Sequence, residues 1–74
     1  MTEPARLSAQ DRAILDFERR WSGSSATKRQ AIQDRFQVHA ATYYRWRAAL
    51  IQRPEALEYA PALVRRLRGR PAGS

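Results

Sequence analysis

Apolar residues in this chain recur every three or four positions and nowhere alternate. That spacing constrains the fold to helices, because a half-buried strand needs apolar and polar residues in strict turn. The expected fold class is all-α: a small helical bundle of four to five short helices containing a helix-turn-helix. Within 74 residues there is room for one domain. A domain this short buries only about 60% of the surface its unfolded chain exposes. It contains no cysteine, so neither a disulfide nor a thiolate zinc site can staple it. Tight helix packing or a partner must serve instead. A single histidine builds no metal site, and no cofactor is expected. No apolar run nears the roughly 20 residues of a membrane span, and no signal-peptide core follows Met1. The expected location is therefore cytoplasmic, at the nucleoid if the chain binds DNA, with no membrane partner.

Capping and breaking residues set the helix limits. Residues 1–7, with Pro4, read as a flexible start. Ser8 followed by Asp11 opens a helix that runs to about Trp21. Ile14, Phe17 and Trp21 form its apolar stripe, with Leu15 at the edge. Arg12, Asp16, Glu18, Arg19 and Arg20 occupy the opposite, outer face, where Asp16 and Arg20 are spaced to pair. Ser22 to Ser25 form a loop around Gly23. Thr27 with Gln30 resembles a capping box for a second helix, about Thr27 to Arg35. Gln37, Val38 and His39 break the pattern. A third helix reads from Ala40 to about Gln52, with Tyr43, Trp46 and Leu50 inward. Pro54 ends it and can begin a short fourth helix through Tyr59. Pro61 repeats the device for a last helix to about Arg68, with Leu57, Leu63, Val64 and Leu67 inward. Residues 8–68 thus form the domain, and 69–74 read as a disordered basic tail.

The charge is uneven. The net +7 divides into a neutral 1–26, a +5 segment over 27–53 and a +2 end over 54–74. In the middle segment Lys28, Arg29, Arg35, Arg45, Arg47 and Arg53 face Asp34 alone. Thirteen of the fourteen basic residues are arginines, whose planar forks suit phosphate and guanine edges.

The same segment carries the spacing of a helix-turn-helix. Ile32 and Phe36 on one helix, Val38 in the turn, and Tyr43 and Trp46 on the next match the apolar positions that two steeply crossing helices require. Gln37 stands where Gly is frequent, Gln33 where a small residue is usual, and His39 where Ser or Thr would cap. These departures predict a somewhat longer or looser connection. If the unit forms, Ala40, Ala41, Thr42, Tyr44 and Arg45 are the base-reading candidates, and Arg45 is the foremost for a bidentate guanine contact. Thr27, Lys28 and Arg29 open the second helix, where free N–H groups and the helix dipole favour phosphate. His39, Arg47, Arg53, Arg65, Arg66 and Arg68 complete the expected phosphate contacts.

The stretches Asp11 to Arg19, Lys28 to Phe36, Thr42 to Tyr44, Leu50 to Leu57, and Pro61 with Leu63 to Arg68 resemble a family of small actinobacterial proteins grouped as a domain of unknown function, DUF3263. The resemblance runs from about Ser8 to Arg68. It implies a helix-turn-helix-like fold with no established activity, in a bacterial cytosol. Relatives often carry a Gly after the Phe of the second helix and a second Trp beside Trp21, where this chain has Gln37 and Ser22.

The expected function is double-stranded DNA binding, as a small transcriptional regulator or DNA-organising protein. A single short recognition helix suggests either a homodimer or a modest affinity. Two other classes remain: a module docking on a transcription-machinery protein, and an RNA or single-strand binder using Tyr44 and the arginine tail. An enzyme is not expected, since no nucleophile–base pair or Gly-rich phosphate loop occurs.

Overall fold

A computed structural model describes residues 6–69. The expected start up to residue 5 and the tail from residue 70 lie outside the described residues. Five helices follow one another: α1 (Ala9–Arg20), α2 (Ser25–Phe36), α3 (Ala40–Leu50), α4 (Pro54–Tyr59) and α5 (Pro61–Arg68). No strand occurs among the described residues. The molecule is all-α.

Each boundary has a local cause. Ser8 caps α1 in a complete capping box: Asp11 N–H donates to the Ser8 hydroxyl, and Ser8 N–H donates to the Asp11 carboxylate, both at 3.0 Å. Leu7 packs against the core, and its carbonyl accepts from Arg12 at 2.9 Å. Between α1 and α2, Gly23 adopts φ +142°, and a Cβ there would stand 3.2 Å from the Trp21 ring. A side chain at position 23 would meet both problems. Pro54 and Pro61 each occupy the first turn of a short helix, where the missing N–H costs no hydrogen bond.

The second helix starts earlier than its sequence suggests. Ser24, not Thr27, is its N-cap, accepting from Thr27 N–H at 3.2 Å. The Thr27 hydroxyl turns back to the Ser24 carbonyl at 3.0 Å. Gln30, the expected box partner, bonds Asp34 instead. Two hydroxyl residues three apart compete to cap, and the earlier one wins an extra turn of helix.

The core joins Ile14 and Leu15 of α1, Ile32 of α2, Tyr43 and Leu50 of α3, Ile51, and Ala56, Ala60, Leu63, Val64 and Leu67 from α4–α5. Packing pairs α2 with α3, α4 with α5, and α1 with α5. The inward stripe of α1 is rotated from expectation. Leu15 is fully buried and Phe17 and Trp21 only half so. Their rings extend the core sideways: Phe17 stacks on Trp21 at 5.5 Å and meets Phe36 and Tyr43 edge-on.

Candidate functional site

The connection between α2 and α3 is three residues, Gln37 to His39. The looser connection that its composition suggested does not occur. Gln37 takes the left-handed conformation (φ 62°, ψ 33°) that ends many helices and that Gly adopts most easily. Two hydrogen bonds offset the strain. Its N–H donates to the Gln33 carbonyl at 2.9 Å, and its side-chain amide donates to the Asp34 carbonyl at 3.1 Å. Two end carbonyls of α2 are thereby satisfied. Val38 then packs against the core, and His39 starts α3 without a side-chain cap.

That short turn leaves one face of α3 outward. Ala41, Tyr44, Arg45, Ala48 and Ala49 are exposed, while Ala40, Thr42 and Trp46 are half-buried. Ala40, Ala41 and Tyr44 share a groove of about 580 Å³ with Ser25, Arg29 and Gln33 of α2 and with His39. The structure thus brings together three of the five base-reading candidates with Arg29 and His39. Thr42 and Arg45 lie outside the groove lining, Arg45 on the exposed stripe beside it.

Behind this face lies a charged cluster that the sequence did not suggest. Glu18, expected on the outer face of α1, is only 5% exposed. Lys28 Nζ donates to its Oε1 at 2.8 Å. The Tyr43 hydroxyl donates to its Oε2 at 2.6 Å, and Arg47 approaches the same oxygen at 3.2 Å. Burial alone would push the Glu18 carboxyl up. The bonds from Lys28 and Tyr43, with the charges of Lys28 and Arg47, outweigh burial and hold it below its ordinary range. Burial and the carboxylate beside it push the Tyr43 phenol far up, so it stays a neutral donor. The same two cations lie against Tyr44: Arg47 Cζ is 4.7 Å and Lys28 Nζ 5.7 Å from its ring centroid. The missed signal was helical spacing, since Glu18 stands four residues from Ile14 on one face.

A family model described as a protein of unknown function (DUF3263) matches residues 6–71. The chain belongs to the DUF3263 family. No curated protein and no solved structure matches it. The family description assigns no activity, so function in this DUF3263 protein has to be argued from its site.

The remaining cations of the DUF3263 chain divide into engaged and open. Arg53, at the N-cap of α4, pairs with Asp11 at 3.0 Å and Glu55 at 3.5 Å and donates to the Arg6 carbonyl. Arg68 donates through Nε to the Ile51 carbonyl, closing α5 onto the end of α3. Asp16 pairs with Arg19 rather than Arg20 and also accepts from Tyr59, an exposed aromatic that the sequence did not single out. Arg29, Arg45, Arg65 and Arg66 are exposed and make no ion pair among the described residues. Of six cations in the +5 segment, Lys28, Arg47 and Arg53 are therefore bound to carboxylates. No helix among the described residues is long and apolar enough to cross a membrane.

Proposed function

We propose that this protein binds double-stranded DNA, with α2, the three-residue turn and α3 acting as a helix-turn-helix, in the role of a small transcriptional regulator or DNA-organising protein. One observation carries this reading. The exposed stripe of α3 sets small residues, Ala41 and Ala48, between Tyr44 and Arg45 and carries no acid, and the open Arg29 lies across the adjoining groove. Small residues let a helix approach base edges closely, and an unpaired arginine beside them supplies the bidentate fork that reads guanine. Ala40 and Thr42 stand at the edge of this face. Phosphate contacts fall to Arg29, Arg65 and Arg66, with His39 at the start of α3, whereas Thr27, whose N–H and hydroxyl both bond Ser24, leaves the expected set. Lys28, Arg47, Arg53 and Arg68 are engaged within the fold and drop out of that set. The chain is a binding module in this reading, not an enzyme, and two copies would supply the two recognition helices of a palindromic site.

A salt titration tests it, using a duplex selected from a random pool and a scrambled control. Arg29→Ala should weaken binding to both alike and reduce the slope of log Kobs against log[salt] by about 0.9, the share of one phosphate. An undiminished slope would remove Arg29 and its face from the interface.

A further inference from the structure

Glu18 sits on α1, outside the helix pair assigned to DNA, yet its two oxygens reach both members of that pair. Oε1 holds Lys28 of α2, and Oε2 holds Arg47 and the Tyr43 hydroxyl of α3. The carboxylate side chain is 3% exposed, whereas Lys28 and Arg47 keep 14% and 19%. The cations therefore stand at the rim with the anion beneath them, and both lie against the ring of Tyr44. Stability is a weak reason for such a cluster, because apolar residues of similar volume usually serve a buried ion pair's place as well or better. We propose that Glu18 is a positioning residue for sequence-specific DNA recognition: it withholds Lys28 and Arg47 from phosphate and, through them, holds Tyr44 at the reading face.

The inference rests on the DNA-binding reading, and its logic is one of specificity. Phosphate contacts add affinity for every sequence alike and carry no discrimination. Two cations held inward reduce that sequence-blind part. The same two cations, pinned by a carboxylate, limit where the Tyr44 ring can lie, and a contact group ordered before binding loses less freedom on binding. A single buried carboxylate thereby trims the sequence-blind affinity and orders the side chain that supplies the preference.

Glu18→Gln keeps the shape and removes the charge. In the full chain, the slope of log Kobs against log[salt] should steepen by about one to two units, since each released cation adds about 0.9 on reaching a phosphate. The preference for the selected over the scrambled duplex should fall about tenfold, within the range of one lost base contact. Weaker binding to both duplexes with an unchanged or shallower slope would mean a structural role only, and would overturn the proposal. If Glu18→Gln fails to fold, the double replacement Glu18→Met with Lys28→Met fills the site with apolar volume and releases Arg47 alone. Its slope should steepen by about one unit, and an unchanged slope overturns the proposal equally. Proton NMR of the free chain supplies a readout independent of DNA. The Lys28 ε-methylene should be shielded by the Tyr44 ring and lose that shielding in Glu18→Gln; persistence of the shift overturns the positioning role. If the wild-type chain binds no duplex at low salt, the DNA reading itself fails, while the ring-current shift still decides whether Glu18 holds Lys28 against Tyr44.

Discussion

Glu18 and its three partners show how a side chain's role depends on what the fold brings to it. Lys28 reads in the sequence as a phosphate clamp at a helix start, but 2.8 Å from a buried carboxylate it closes α2 onto α1. Lys28→Ala should therefore cost stability, about 1–3 kcal/mol for a charge-assisted bond in a largely buried site, measured by urea unfolding. Arg45→Ala, on an exposed and unpaired residue, should change stability by less than about 0.5 kcal/mol. Glu18 also gives stability a pH dependence with a definite sign. Its carboxyl ionises at lower pH in the folded chain than in the unfolded one. In the acid range the unfolded state thus binds more protons, so stability rises with pH there. The contribution is complete above the ordinary carboxyl value near 4.5 and is lost as pH falls through the lower folded value. Thermal midpoints recorded from pH 6 to pH 3 should fall, and fall less in Glu18→Gln. Spacing from Ile14 places Glu18 on the inner face, but the groups that satisfy it there were not legible, because its counterions lie 10 and 29 positions away on other helices.

At the scale of the helices, the sequence was far more legible. Ser8 with Asp11, Pro54 and Pro61 mark α1, α4 and α5 because caps and prolines act on their immediate neighbours. The α2–α3 connection tested the limit of such local reasoning. Composition argued for a loose turn, since Gln37 is not a residue that favours a positive φ. The structure keeps the turn short by giving Gln37 two acceptors at the end of α2. Gln37→Gly should relieve the left-handed strain and stabilise the domain by about 0.5–1 kcal/mol in thermal or chemical unfolding. Loss of stability instead would mean that the side-chain bond to Asp34 outweighs the strain. At the other end of α2, Ser24→Ala should cost about 1 kcal/mol as a lost N-cap, and Thr27→Val much less.

For the molecule as a whole, marginal size is met by a core that every helix enters and by a rim of aromatic contacts around Phe17. Position 64 is fully buried where α5 backs the bundle. Val64→Ala should cost about 1–3 kcal/mol, a large share of what so small a domain can hold. The charge picture also changes at this scale. The segment over 27–53 carries a net +5, but half of its six cations are paired with Glu18, Asp11 and Glu55. The exposed cations with no ion pair or hydrogen bond among the described residues are Arg29 and Arg45 beside the α3 stripe, Arg65 and Arg66 on α5, and Arg20 and Arg35, which line a separate groove with Phe17 and Trp21. The decisive measurement is the affinity of wild-type and Arg45→Ala chains for a selected and a scrambled duplex at several salt concentrations. DNA reading by α3 predicts salt-dependent duplex binding whose sequence preference drops about tenfold in Arg45→Ala. Equal preference in both chains, or no duplex binding at low salt, would contradict it.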